Sequence, residues 1–247
     1  MQMFTNTGAV EGCPDCGGKG IIVDPSGTGA RKCRCLVESY VYRRVGSRFF
    51  PFDLPSMEAH TPSQVECLKS IRENPGGSYY LYGNNRTGKT TIAAALFHTR
   101  ARDAKERFHS VRWWTEPDLR TMLLFGNVSG QALTEGNEPS VVEQVTDGIM
   151  KGDLRAIFID DIGKVKVTAA TRQAFYAFVN TLYNFSEHVQ LVITSEFSLQ
   201  ELAGVSVEGE LSYGRAIPAR LADICTPVNL QGSEPFRKPN TCSEKLT

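Results

Sequence analysis

The chain has 247 residues, enough to bury one substantial core and carry a small appended module. Its 27 basic and 27 acidic side chains cancel, so overall charge selects no partner, and nucleic-acid contact would need a local patch. With 41% hydrophobic and 22% charged residues the composition is that of a soluble globular protein.

No apolar run approaches the ~18 residues of a membrane helix, and Met1 to Val10 lacks the charged start and apolar stretch of a signal peptide. A cytoplasmic protein with no membrane partner is expected. In that reducing setting the seven cysteines read as metal ligands or free thiols before disulfides.

Four of them come first, as Cys13-Pro14-Asp15-Cys16 and Cys33-Arg34-Cys35. Two close thiol pairs separated by a short glycine-bearing stretch can converge on one tetrahedral Zn²⁺. Gly17, Gly18 and Gly20 suit a tight knuckle, Ile21-Ile22-Val23 reads as a strand, and Arg31-Lys32 returns the chain to the second pair. A ribbon or knuckle hairpin follows. The competing reading is a redox pair beside unrelated thiols, which the second pair disfavours. Cys67, Cys225 and Cys242 read as ordinary thiols.

Arg31, Lys32, Arg34, Arg43, Arg44 and Arg48 then face Glu38 alone, with Tyr40, Tyr42, Phe49 and Phe50 among them or just after. Such a stretch either tracks single-stranded nucleic acid or is a helix whose aromatics dock on the next domain. From Phe49 to Pro62, three prolines suggest a linker along the surface. Val65, Leu68 and Ile71 mark a helix that Pro75-Gly76-Gly77 stops. This divides the chain into a zinc module over 1–50 and a main domain over 51–247.

Ser78-Tyr79-Tyr80-Leu81-Tyr82 reads as a buried strand. It runs into Gly83-Asn84-Asn85-Arg86-Thr87-Gly88-Lys89-Thr90, the G-x-x-x-x-G-K-T phosphate loop, and then into strong helix formers from Thr91 to Phe97. Backbone N–H groups at a helix N-terminus answer the charge of a triphosphate. Gly83, Asn84, Asn85, Arg86, Thr87, Gly88, Lys89, Thr90 and Thr91 are therefore the candidate ATP contacts. Lys89 is expected to reach the β- and γ-phosphates and Thr90 to offer its hydroxyl to Mg²⁺. Arg86 stands where many such loops have a further glycine.

Ser110 to Trp114 reads as a strand, and Thr115 as the cap of a helix over Glu116 to Phe125. The two tryptophans offer base stacking or, more commonly, core filling. Gly126 to Gly152 carries little pattern beyond a short helix hinted at by Val141, Val142 and Val145. In Arg155 to Gly163, four apolar residues end in Asp160-Asp161, the Walker B pattern. Asp160 is expected beside the Mg²⁺ at Thr90, and Asp161 is placed to orient or deprotonate water.

Thr168 to Asn184 is an amphipathic helix, and Val189 to Ser195 a buried strand whose end brings Thr194 and Ser195 to the ligand crevice. Those hydroxyls either sense the γ-phosphate or satisfy the strand end. A short helix from Ser198, a segment over Tyr213 to Ile224 bearing Arg215 and Arg220, and a strand over Thr226 to Leu230 precede a polar tail.

These motifs together resemble the DnaC/DnaI-type replicative helicase loaders, an AAA+ group that also includes the IstB transposition ATPases. The resemblance rests on CPDCGGKG with CRC, IFIDDIG, VITSEFSLQEL, GRAIPARL and VNLQGSEPFR. It implies an α/β AAA+ P-loop core behind a zinc module, with Cys13, Cys16, Cys33 and Cys35 on Zn²⁺. It also implies Thr194 and Ser195 at the sensor position, and Arg220 as a finger acting in trans on the ATP of a neighbouring copy. The implied partners are a hexameric replicative helicase, single-stranded DNA and further copies of the chain. The IstB branch usually lacks the cysteine module, leaving a DNA-binding transposition adaptor as the alternative. A small-molecule P-loop kinase would need an acceptor pocket and an arginine-bearing lid, and neither stands out. Departures fall at Arg86, at Leu182 (where the family has an arginine before Tyr183) and at Glu196 (where it has a sensor asparagine). They imply slow turnover, with ATP acting as a switch.

Overall fold

A computed structural model describes residues 4–5, 8–26, 29–50, 52–125, 139–165, 167–204 and 213–232. The first half of the weakly patterned region, most of the segment before Tyr213, the tail and Cys242 lie outside the described residues.

A short antiparallel hairpin, β1 (Ile21–Val23) and β2 (Ala30–Lys32), leads directly into α1 (Arg34–Val45). Cys33 is the N-cap of α1 and Cys35 sits in its first turn, so the helix start itself carries the second thiol pair. The other face of α1 joins the main core: Val37, Tyr40, Val41 and Val45 are buried with residues of the later sheet and helices. Tyr40 packs against Phe97 and Phe108 and donates its hydroxyl to the Val111 carbonyl at 2.6 Å. The arm's aromatics are thus turned inward while Arg31, Lys32, Arg34, Arg43, Arg44 and Arg48 are exposed. Base stacking by Tyr40 is excluded by its burial.

The proline-bearing stretch that follows is more than a surface linker. Phe52, Leu54 and Met57 are buried in the same core, and the Arg72 guanidinium donates to the carbonyls of Leu54 and Met57. Apolar side chains between the prolines anchor the segment. Next comes α2 (Pro62–Glu73), capped by Thr61 and with Pro62 at the first helical position, where its missing N–H costs nothing.

The remaining elements are, in chain order, β3 (Tyr79–Tyr82), α3 (Lys89–Asp103), β4 (Val111–Thr115), α4 (Glu116–Phe125), α5 (Val141–Met150), β5 (Ala156–Ile162), α6 (Ala169–Asn184), β6 (Gln190–Ser195), α7 (Leu199–Gly204), α8 (Ala216–Ile224) and β7 (Thr226–Asn229). A 3₁₀ segment over Lys105–Ser110, not foreseen in the sequence, joins α3 to β4. The five long-range strands form one parallel sheet in the order β4-β5-β6-β3-β7. Successive residues face opposite layers. Tyr79, Leu81, Phe158 and Val192 face the layer with α1 and α3, while Tyr80, Ile157, Ile159, Leu191 and Ile193 face that with α6 and α8.

Both tryptophans serve this packing. Trp113 is buried against Phe97 and Phe158, and half-buried Trp114 meets the edge of Phe178. Caps set the helix starts: Ser140 forms a capping box with Glu143 on α5, and Thr168 with Thr171 on α6. The sheet order places β3 between β6 and β7, a switch point at which the strands' C-terminal ends open a crevice.

Candidate nucleotide and metal sites

The predicted phosphate loop lies in this crevice. Gly83 adopts φ 136°, and a Cβ there would come within 2.1 Å of the Leu230 carbonyl oxygen, so the backbone just past β7 excludes any side chain. Gly88 caps α3 in the left-handed region at φ 95°. Arg86 also has a left-handed φ of 66°, which is the physical reason glycine suits that position; its side chain is exposed. Asn84 and Asn85 are exposed at the turn, and Thr91 lies partly buried in the first turn of α3. Buried Thr87 donates its hydroxyl to the Asn84 carbonyl.

Lys89 curls back over the loop and donates to the carbonyls of Gly83 at 2.7 Å and Asn84 at 2.8 Å. Burial pushes its pKa down, opposed by the carboxylates of Glu196, Asp161 and Asp160. The Thr90 hydroxyl donates to Asp160 Oδ1 at 2.9 Å, and the Thr194 hydroxyl to the same oxygen at 2.6 Å. Three elements therefore meet at one carboxylate. Burial raises the pKa of Asp160 against these two donors. A divalent cation would relieve that penalty, and a hard ion takes carboxylate and hydroxyl oxygens as ligands. The residues present fit Mg²⁺.

The two aspartates are aimed by a local irregularity. The β5–β6 register shifts between Ile159 and Ile162, and Asp161 takes φ 68°. Bulges of this kind redirect side chains beside functional sites. The amide of Asp161 donates to the Thr194 hydroxyl at 2.8 Å, and its carboxylate lies 3.0 Å from Lys164 Nζ. Ser195 is placed differently: its hydroxyl donates to the Ile162 carbonyl and accepts from the Phe197 amide. Thr194 thus joins the acid pair, while the Ser195 hydroxyl satisfies the strand end.

Arg220 sits on α8, its guanidinium 4.6 Å from the Tyr176 ring centre and donating to Asn180 Oδ1 at 2.9 Å. Within the chain it is braced against α6, with no contact to the phosphate loop among the described residues. Leu182 is fully buried in the core and Glu196 pairs with Lys164 at 2.6 Å.

Three contributors escaped the sequence reading. Gln64, buried in α2, donates to the Thr87 carbonyl and supports the phosphate loop from behind. Lys164 bridges Asp161 and Glu196. Glu116, read only as the first residue of a helix, is buried and accepts from the amides of Gly163, Lys164 and Val165, and from the Tyr213 hydroxyl. It ties the loop after the acid pair to the segment entering α8. A buried acid facing three amides has no local pattern that would announce it.

The cysteines form a second site. The sulfurs of Cys13, Cys16, Cys33 and Cys35 lie within 4.8 Å of one another. The Cys13–Cys33 and Cys16–Cys35 separations are 3.7 and 3.5 Å. A tetrahedron with Zn–S bonds of about 2.3 Å has S···S edges of roughly 3.8 Å, so the sulfur set fits one ion. The Gly20 amide donates to Cys16 Sγ, as a second-shell donor to thiolate would. Burial pushes the Cys33 and Cys35 thiols up, a cost that a bound cation reverses. No other group of three or more histidine, cysteine, aspartate or glutamate side chains converges in this way among the described residues.

The chain belongs to the ATPase family associated with various cellular activities (AAA), whose family model matches residues 79–202, half of its length. Its fold is the α/β AAA+ P-loop core, a parallel sheet flanked by helices, behind an N-terminal cysteine-rich module. It is similar to the solved DnaC helicase loader, at 18% identity and TM-score 0.54, over 75% of this chain and 100% of that one. The DnaI structure is similar at 17% identity and TM-score 0.54, over 74% and 93%. AMPPCP-bound DnaA from Aquifex aeolicus matches at 18% identity and TM-score 0.50, over 73% of this chain and 50% of that one. At these identities the likeness is one of fold. No curated protein matches by sequence. Among the described residues, no helix is long and apolar enough to cross a membrane.

Proposed function

We propose that this protein is a cytoplasmic AAA+ ATPase of DNA replication initiation that loads a hexameric replicative helicase onto single-stranded DNA. The observation that carries the reading is a set of four converging cysteine sulfurs, two of them at the start of a helix that packs on a P-loop core similar in fold to DnaC and DnaI.

Gly83 to Thr91 bind the phosphates of ATP, with Lys89 leaving its loop carbonyls for the β- and γ-oxygens. Thr90 and Asp160 hold Mg²⁺, which when bound neutralises phosphate charge. Asp161 orients the attacking water, and Thr194 reports the state of the acid pair to β6. Ser195 supports that strand end. Arg220 acts in trans on the ATP of a neighbouring copy, making self-assembly part of the switch. Turnover is slow, and binding more than hydrolysis sets the conformation.

Residues 1–50 form the helicase-docking module, with Zn²⁺ held by Cys13, Cys16, Cys33 and Cys35, and residues 51–247 the ATPase domain. The exposed cations of the module's arm supply phosphate contacts to single-stranded DNA.

Size-exclusion light scattering with a candidate hexameric helicase tests this, with and without ATP, for wild type and Cys13→Ser. A complex formed by wild type and lost on Cys13→Ser is expected. No complex in any nucleotide state would overturn the loader reading and favour a transposition adaptor.

A further inference from the structure

Lys164 belongs to none of the motifs above, yet its ammonium stands among the charges of the phosphate crevice. Nζ lies 3.0 Å from Asp161 Oδ2 and 2.6 Å from Glu196 Oε1. The carboxylates of Glu196, Asp161 and Asp160 all act on Lys89, opposing the effect of its burial. An acid beside the lysine that receives a triphosphate is a contradiction in charge. The crevice holds two ammonium groups, Lys89 and Lys164, against the carboxylates of Asp160, Asp161 and Glu196. Removing one ammonium would leave the phosphate facing an uncompensated acid.

We propose that Lys164 is a positioning residue that cancels the charge of Glu196 beside Lys89 and fixes the Asp161 carboxylate, so that the crevice accepts the outer phosphate of a nucleoside triphosphate. The inference rests on the nucleotide reading above. It accounts for Glu196 at a sensor position: the acid and Lys164 form an internal pair there. The Lys164 side chain is 41% exposed, so its removal tests charge with little cost to packing. Because ATP carries more charge than ADP at the outer end, losing Lys164 weakens ATP more than ADP.

The test is a double-mutant cycle on the full chain, with Mg·ATP and Mg·ADP titrated into wild type, Lys164→Ala, Glu196→Gln and the double variant, and thermal melting as a folding control. Lys164→Ala is expected to weaken ATP by about tenfold, or roughly 1.4 kcal/mol, and ADP markedly less. Glu196→Gln removes the acid, so in that background losing Lys164 costs less, only what its hold on Asp161 contributes. Lys164→Arg retains ATP binding. An equal loss in both backgrounds, or an equal loss for ATP and ADP, overturns the inference while leaving the nucleotide reading intact. Absence of ATP binding by wild type overturns both.

Discussion

The Thr194 hydroxyl donates to Asp160 Oδ1 at 2.6 Å while accepting the Asp161 amide at 2.8 Å. One side chain on β6 thus fixes both members of the acid pair on β5, and Thr90 completes the set from α3. Thr194→Val keeps the shape and removes the hydroxyl. A hydrogen bond to a charged group contributes about 1.5–3 kcal/mol, so ATP turnover is expected to fall about tenfold or more and the melting temperature by several degrees. Steady-state ATPase assay against Thr194→Ser, which keeps the donor, checks this.

Asp160 carries a burial penalty that the chain itself only partly offsets. Its folded pKa is raised, so its contribution to stability is present below the ordinary aspartate range and is lost as pH rises through the folded value. Asp160→Asn retains an oxygen acceptor and removes the charge. In EDTA at pH 8 the variant is expected to melt above wild type, with the gap narrowing on acidification, while Mg²⁺-dependent ATP turnover is lost. Thermal melts across pH in chelator measure the first effect.

Glu116 holds three amides and the Tyr213 hydroxyl from a buried position, with Arg120 at 3.8 Å as its charge partner. Glu116→Ala strands these donors and leaves Arg120 buried without its partner, a class of change that costs about 3–5 kcal/mol. For a chain of this size each kcal/mol moves the melting temperature by about 2–4 °C. Calorimetry is expected to show a large drop for Glu116→Ala and a smaller one for Glu116→Gln.

Arg86 lies in the left-handed region, which costs a residue with a Cβ roughly 1–2 kcal/mol. Glycine removes that strain and adds unfolded-state entropy of about 0.5–1 kcal/mol. Arg86→Gly is therefore expected to raise the melting temperature slightly, and Arg86→Val to lower it. The opposite ordering would contradict the assigned loop geometry.

The four sulfurs predict one Zn²⁺ per chain by metal analysis, lost on Cys16→Ser. Because Cys33 and Cys35 open α1, whose other face is core, removing the metal is also expected to lower the melting temperature of the whole chain.

Much of this was legible locally. Strand, phosphate loop and helix follow one another without interruption from Tyr79 to Phe97, and an apolar run ending in Asp160-Asp161 needs no tertiary knowledge to be read. The cap Thr115 is written in its side chain, and its hydroxyl accepts the Asp118 amide. What was not legible depends on parallel crossovers. Lys164 meets Glu196, and Glu116 meets Gly163 and Tyr213, only because the sheet order makes distant strand ends adjacent. The inward turn of Tyr40 and the anchoring of Phe52 are set by the space between α1 and α3, which no periodicity within the arm encodes.

The most direct test of the account is transfer of a hexameric replicative helicase onto circular single-stranded DNA, read as unwinding of an annealed strand, with wild type and Lys89→Ala. ATP-dependent stimulation by wild type that is absent with Lys89→Ala is the predicted result. A wild-type protein that binds Mg·ATP yet leaves an active helicase no better loaded would contradict it.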